Sequence, residues 1–504
     1  MDKNKKIYCS LKIITPVHIG SGEDYYLTDY YFSGQKKELI FFNKTAISKL
    51  IFAEGEGKFK KFISASEKGE YLKIKSLMEK HIEIAKTGEV SVTDDLMENF
   101  RAKTTGIDNH PISKHIKEAF NMLPYIPGST LKGVIRTAFN YEFLKENSKS
   151  WAQKLRRENF NCDFINTEQK DAMQNDPFRC IKVSDFMFVK GKTIIDKPLN
   201  LTKKGENPIP NMLELCVEET LFYGEIDLSL IDKLETDANT EFAKLVKKYF
   251  QNNLNKERIE KILKEYYEKL FAKEKKEFAD KNVESIKDLN RRGNYRKWHK
   301  KGLDFNQNNE CYIKLGKHGG AISKTTAGGD DHFREYRKVK IPQLDEILDC
   351  QLTNWISSLG KPLGWAKIKF LTKEEAEALK KEREEFITAQ KKETEDRIKR
   401  NEEAKKSAME KKRLKEEKLA NMSDQAKMIC SFINERYSGQ KQQKEYEIYS
   451  FLLDDKVDKA DKIEAAKALK DYYEQEGIWD KRLKKSNKRR GRINKVKEIL
   501  EIEA

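Results

Sequence analysis

Ile7-Tyr8-Cys9-Ser10-Leu11-Lys12-Ile13-Ile14-Thr15-Pro16-Val17-His18-Ile19-Gly20-Ser21-Gly22-Glu23 is the stretch on which the fold turns. Ile7, Cys9, Leu11 and Ile13 alternate with Tyr8, Ser10 and Lys12, the period-2 pattern of a strand with one buried face. Thr15 and Pro16 end that strand, and Gly20 and Gly22 open a loop whose backbone can approach a bulky ligand closely. Standing alone, the same loop reads more readily as a plain turn capped by His18.

Further along, Tyr30–Phe32 and Leu39–Phe42 read as a strand pair around the polar turn Ser33–Lys37. Asn43 is placed as an N-cap, and Ala46, Ile47, Leu50 and Ile51 recur at helical spacing, so Lys44–Ala53 is expected as a short amphipathic helix. Residues 54–121 are polar and show no sustained strand pattern, which reads as an insertion with some helix. At Tyr125-Ile126-Pro127-Gly128-Ser129-Thr130 a Pro-Gly turn delivers hydroxyl caps to a helix whose apolar face is Leu131, Val134, Ile135, Ala138 and Phe139. Strands follow at Ile181–Val189 and over Leu213–Leu228, the latter broken by Glu218, Glu219 and Gly224 in the manner of a bulge or hairpin.

From Thr240 to about Lys276, Phe242, Leu245, Tyr249, Ile259, Ile262, Leu263, Tyr266 and Leu270 predict long helices, an insert (about 231–310) or a layer covering the sheet. The basic, aromatic run Arg291–Lys301 leads to a strand at Cys311–Leu315 and a last strand at Ala366–Phe370. Interspersed strands and helices of this kind give an α+β class with an antiparallel sheet over residues 1–372. Beyond Thr372 the chain is Glu, Lys, Ala and Arg without Gly or Pro as far as Ala420. Leu379, Phe386, Ile398 and Leu414 are too sparse for a heptad seam, so 373–420 is expected as a solvated spacer helix. Residues 421–504 read as a small, basic, all-helical module.

The composition excludes several classes. Lys and Arg total 100 against 83 Asp and Glu, and the resulting +17 favours a polyanionic partner. Cys9, Cys162, Cys180, Cys216, Cys311, Cys350 and Cys430 stand singly with no ligand-spaced histidine, which argues against a structural zinc site, and no cofactor is expected. With no apolar N-terminal leader and no run long enough for a bilayer, a reducing cytoplasm is the expected compartment, with no membrane partner.

Three further motifs bear on binding. In Ile126–Thr137 a helix N-terminus with Gly128 and Ser129, and with Lys132 and Arg136 four residues apart, makes a phosphate cradle or simply a well-capped helix. It lacks the Gly-Lys-Ser/Thr order of a nucleotide-hydrolysing loop. Lys314-Leu315-Gly316-Lys317-His318-Gly319-Gly320, with Ser323-Lys324-Thr325 beyond, offers cationic groups to a nucleic-acid backbone. In Lys361-Pro362-Leu363-Gly364-Trp365, the tryptophan either stacks on a base or, more in keeping with a lone tryptophan, packs on the sheet.

In this order the four segments resemble the RAMP superfamily of CRISPR proteins, and within it the subunit-five family of type III-A Csm complexes, over about Ile7–Phe370. The resemblance implies an RRM-like (ferredoxin-like) core with helical insertions, followed here by an all-helical C-terminal extension that matches nothing in the family. It implies a non-catalytic subunit that binds the guide CRISPR RNA near its 3′ end, assists guide maturation and assembly, and contacts other Csm-type RAMP subunits, the backbone subunit above all. Carried onto this sequence, the RNA contacts are His18, Gly20, Ser21 and Gly22, then Ser129, Lys132 and Arg136, then Lys317, His318 and Lys324.

Two alternatives stay open. One is a metal-independent RAMP endoribonuclease with His18 as general base for the ribose 2′-hydroxyl, His318 as acid, and Lys132 or Arg136 on the phosphorane. The other is an assembly factor whose Lys484–Arg492 tail contacts a host nuclease or ribosomal RNA.

Overall fold

The alternating segment becomes β1 (Lys6–Ile13), the centre of an antiparallel seven-stranded sheet in a computed structural model that describes residues 5–26, 29–96, 111–142, 176–202, 205–207, 211–230, 248–250, 254–319, 353–420, 423–434, 438–479 and 488–500. Its other members are β7 (Tyr125–Ile126), β8 (Lys182–Val183), β9 (Phe186–Lys190), β14 (Leu221–Asp227), β15 (Glu310–Lys314) and β17 (Trp365–Leu371). The spatial order is β15-β17-β1-β14-β9-β7, with β8 paired to β14. Cys9, Leu11 and Ile13 of β1, Phe222 of β14 and Ile368 of β17 are fully buried on one face. Against that face pack the helix 128–142, through Leu131, Ile135, Ala138 and Phe139, and the helix Lys256–Glu274, through Ile259, Ile262, Leu263, Tyr266 and Tyr267.

A second sheet has the order β2-β6-β13-β10-β5-β4-β3. Its strands are β2 (Gly20–Tyr25), β3 (Tyr30–Ser33), β4 (Glu38–Phe42), β5 (Lys86–Val92), β6 (Ile112–His115), β10 (Thr193–Asp196) and β13 (Met212–Cys216). The expected hairpin at 30–42 is β3–β4, and the Asn43 side chain caps the helix Lys44–Ala53 by accepting from the Ala46 amide at 3.0 Å. A third, short sheet joins β11 (Leu199–Thr202), β12 (Gly205–Asn207) and β16 (Thr353–Ile356).

Two expectations are corrected. The stretch 54–121 does carry strands: β5 and β6 lie in it, each paired in parallel, to β10 and β13 respectively. Their pattern is weak because β5 buries Val90 and Val92 among exposed polar residues. The stretch 213–228 is neither one bulged strand nor a hairpin. At Val217–Thr220, where Glu219 takes φ +66°, the chain leaves the second sheet as β13 and enters the first as β14. Period-2 alternation says which face of a strand is buried but not which sheet it joins.

The chain divides into two compact units, Met1–Lys392 and Glu393–Ala504. In the second, the helices Asp424–Asn434, Ser438–Leu453, Lys459–Gln475 and Lys488–Ile499 enclose Phe432, Leu452, Leu469, Tyr473 and Val496. Buried Glu445 accepts there from Arg489 at 2.9 Å, Arg492 at 2.9 Å and the Tyr473 hydroxyl at 3.0 Å. So part of the basic tail's charge is used internally; Lys484 and Lys485 lie outside the described residues.

Candidate nucleic-acid interface

Three of the sequence motifs meet at one edge of the first sheet. Past β1, the Thr15 amide donates to the Trp365 carbonyl at 3.0 Å, and the Trp365 amide returns a bond to the Thr15 hydroxyl at 2.9 Å. The Gly364 amide donates to the Pro16 carbonyl at 2.9 Å, and the Lys317 amide to the His18 carbonyl at 3.0 Å. Gly316 makes the approach possible: its φ is +93°, and a Cβ there would sit 2.6 Å from the His18 carbonyl oxygen.

His18 stands at the centre of this junction, with a relative exposure of 2%. Its Nδ1 lies 2.8 Å from the Glu214 carbonyl, which can only accept, so Nδ1 carries the proton. Burial, and Lys317 nearby, hold the ring below the usual imidazole range although the Glu214 carbonyl opposes them, so the ring is neutral near pH 7 and Nε2 carries a bare lone pair. Among the described residues nothing donates to it. His318 stacks on His18 with ring centroids 5.9 Å apart and meets Trp355 at 4.4 Å on its other side. Gly20, Ser21 and Gly22, read as a loop, form the exposed start of β2, where the pairing Gly20 to His115 and Asp24 to Ser113 leaves an irregularity in the ladder.

Sequence reasoning missed the groups beneath this strand. His115 on β6 accepts the Ile19 amide at Nδ1, 3.1 Å away, and its Nε2 faces the Cys216 thiol at 3.4 Å. Complete burial, then His18 and Lys117, keep it far below the ordinary imidazole range. Fully buried Glu214 holds Lys117 at 2.6 Å, the Thr193 hydroxyl at 2.9 Å, the Tyr25 hydroxyl at 3.3 Å and the His115 amide at 3.2 Å. Lys114 lies over the Tyr25 ring at 4.9 Å. These lysines belong to Ser113-Lys114-His115-Ile116-Lys117, whose alternation of cations with His and Ile was the one available signal.

The capped helix reaches the same edge by a backbone relay: the Ile116 amide donates to Ile19 at 2.8 Å, and the Tyr125 amide to Ile116 at 3.4 Å. Gly128 does not open the helix end to a ligand, as the sequence led one to expect. Its amide donates to Asp185 at 2.8 Å, and a Cβ there would lie 2.2 Å from the Val183 carbonyl, so the glycine serves close packing. Ser129 is exposed and Lys132 half-buried, burial holding its ammonium below the usual lysine range. Arg136 forms a two-pronged pair with Asp176, at 2.8 and 3.1 Å, and lies 5.0 Å from the centre of the Phe178 ring. Lys324 lies outside the described residues.

The comparisons with known proteins decide the family. Residues 10–329 match the model of the RAMP superfamily. The chain belongs to the RAMP superfamily. The protein named Csm5 of a CRISPR system in Methanocaldococcus jannaschii is 26% identical to it over 345 residues, 65% of this chain and 76% of the relative. A Csm5 from Streptococcus thermophilus is 29% identical over 195 residues, 37% of this chain and about half, 53%, of the relative. In fold, this RAMP protein is similar to a chain of a cryo-EM structure of a type III-A Csm–crRNA–target RNA ternary complex, with a TM-score of 0.52 at 17% identity, covering 72% of this chain and 100% of the other.

Below its loop edge the RAMP sheet is held by a buried polar cluster. Glu274 receives the Lys314 ammonium, His299 Nε2 at 3.2 Å and Trp365 Nε1 at 3.3 Å. Lys314 also reaches Asn354 at 3.3 Å, and Asn354 donates to the Tyr295 hydroxyl at 2.8 Å. Trp365 is fully buried, so packing rather than base stacking is its role. Burial alone pushes the Glu274 carboxyl up; the adjacent Lys314 and the His299 bond outweigh it and hold the group at about 2.

The sheet's other face carries Tyr8 and Tyr223 on its two central strands, and the helix Lys373–Ala420 starts across it. Lys380 lies 6.0 Å from the Tyr8 ring centre and 5.8 Å from that of Tyr223. Arg383 is buried, donates to the Phe188 carbonyl at 2.9 Å and grips Glu118 at 2.8 and 2.9 Å, while Phe386 packs on Phe188 at 5.4 Å. The Phe188 carbonyl is available because β9 and β14 slip register beside it. Among the described residues no helix is long and apolar enough to cross a membrane, and no group of three His, Cys, Asp or Glu side chains could hold a metal ion.

Proposed function

We propose that this chain is the Csm5-type subunit of a cytoplasmic type III-A Csm complex, and that it grips the guide RNA by its backbone near the 3′ end without cutting it. Its partners on this reading are the guide, the backbone subunit and other Csm-type RAMP subunits. The observation that carries the reading is the convergence of Thr15–Gly22, Gly316–His318 and Lys361–Trp365 at one sheet edge, with the exposed Lys317 in it and with Lys114 and the capped helix that carries Lys132 beside it. Glycine backbone and lysines make a surface suited to phosphates of any sequence.

The order β1, helix 128–142, β9, β14, helix Lys256–Glu274, β17, with β17-β1-β14-β9 side by side, supports an RRM-like core within residues 1–372, interrupted at about 54–121, whose second helix falls inside the stretch 231–310 and makes that stretch a sheet-covering layer rather than an insertion. Sequence-reading RRM sheets stack bases on aromatics of the open face. Here that face carries the start of the helix after β17, which favours backbone grip over base readout.

The binding reading is also favoured over cleavage by the histidines. His18 and His318 stack flat, at an interplanar angle of 29°, rather than facing each other across a gap where a phosphate would react.

The test is binding of the full chain to unrelated single-stranded RNAs by fluorescence anisotropy, from about 50 to 200 mM salt. Similar affinities that fall steeply with salt are expected. Co-expression with the neighbouring subunits should then yield co-purifying RNA with uniform 3′-end spacing. Salt-insensitive binding, or metal-free cleavage lost in His18→Ala, would overturn the proposal.

A further inference from the structure

We infer that His18 Nε2 is a built acceptor for a ribose 2′-hydroxyl, so that this edge distinguishes RNA from DNA. The inference rests on the reading of the chain as RNA-binding and adds the group that recognises the sugar. Nδ1 is committed to the Glu214 carbonyl at 2.8 Å, which fixes both the tautomer and the ring plane and leaves Nε2 as an acceptor. That atom is buried with no donor among the described residues, although a buried polar atom left unpaired is costly. The two neighbouring imidazoles do not supply one: His115 uses Nδ1 for the Ile19 amide and turns Nε2 to Cys216, and His318 stacks on the His18 face.

Nε2 lies directly beneath Gly20, where a Cβ would stand 3.3 Å from it. Gly20 is exposed and opens the irregular, exposed run of β2, so at this position β2 sets no side chain against the lone pair. Lys317, whose backbone is bonded to His18, stands beside the ring. A hydroxyl donor next to an anion is what a ribose and its 3′-phosphodiester present, and the 2′-hydroxyl is the group that tells RNA from DNA. Any single-stranded RNA supplies it, which is consistent with a grip indifferent to base sequence.

The experiment compares the full chain's affinity for one RNA oligonucleotide with that for its all-deoxy and 2′-O-methyl counterparts at constant salt. The parent should prefer RNA to either by about tenfold, ~1.4 kcal/mol. His18→Asn keeps a donor for the Glu214 carbonyl but has no acceptor in the Nε2 position. Gly20→Ala leaves His18 intact and puts a methyl group over the nitrogen. Each should bring the ratio of RNA affinity to DNA affinity down to about one, and Gly20→Ala carries the test if His18→Asn does not fold. A parent that binds RNA tightly but DNA equally well, or variants that keep the preference, would overturn this inference and leave RNA binding standing. A parent that binds no RNA would overturn the function on which it rests.

Discussion

Replacing Glu274 by Gln removes one charge from the polar cluster that holds β15 to β17, and its consequence is calculable. Glu274 is 4% exposed and Lys314 3%, so the substitution leaves a buried ammonium group with only neutral acceptors, the amide oxygen at 274 and that of Asn354. Breaking a buried pair from one side costs about 3–5 kcal/mol. An independent route gives a similar figure: a carboxyl held at about 2, against an ordinary 4.5, is a shift worth roughly 3 kcal/mol at neutral pH.

Because the folded value is the lower one, this stabilisation is complete above about pH 4.5 and is lost as pH falls towards 2. Urea unfolding followed by tryptophan fluorescence is the assay, since Trp365 Nε1 donates to this carboxylate. The Glu274→Gln deficit should be full at pH 7 and shrink as pH drops below 4.5. Glu274→Gln with Lys314→Met removes both charges and should recover to within about 1 kcal/mol of the parent. A single variant that loses less than about 1 kcal/mol at pH 7, or a double variant no better than the single, would refute the account of this cluster as a mutually dependent pair.

Four other substitutions probe the interface and the helix that follows β17. Gly316→Ala forces a Cβ to 2.6 Å from the His18 carbonyl at a φ of +93°, and should cost about 1–3 kcal/mol in chemical denaturation while also weakening RNA binding; a silent substitution would mean that the two loops do not depend on this contact. Lys132→Ala should lower affinity for all RNA sequences alike and reduce the salt slope by about 1, with no loss of stability, whereas Arg136→Ala should also destabilise because it abandons Asp176; equal melting of the two variants counts against this division. Arg383→Ala leaves Glu118 and the Phe188 carbonyl without their guanidinium and should expose the segment after Leu371 to limited proteolysis; unchanged cleavage kinetics would show that the helix is held there by Phe386 and Ala376 instead.

Much of the fold was legible because its signals are local. The alternation of Ile7, Cys9, Leu11 and Ile13 marked the central strand, Asn43 marked a helix start that its side chain does cap, and the Pro-Gly turn marked the helix at 128. What stayed hidden is non-local. The partner of the His18 ring is a carbonyl 196 residues away, and the acid that holds Lys117 is the same residue, Glu214, on a strand that β6 meets in parallel. The long C-terminal helix looked like a spacer because its apolar residues are sparse. Its first turns dock through Ala376, Arg383 and Phe386, and an arginine anchoring a helix to a carbonyl leaves no hydrophobic stripe to read.

The convergence of the motifs follows from strand order rather than from any one of them. β1 lies between β14 and β17, and β17 between β1 and β15, all antiparallel. Antiparallel neighbours put the end of one strand beside the start of the next. The segment after β1, carrying His18, therefore meets the segment before β17, carrying Lys361–Gly364, and that meets the segment after β15, carrying Gly316–His318. Had either pairing been parallel, one of these segments would lie at the opposite edge and the bonds from Lys317 to His18 and from Gly364 to Pro16 could not form. Motifs as much as 350 residues apart in sequence thus form one surface, because the sheet order brings their glycines to the same edge, with the glycines then permitting the close backbone contacts seen there.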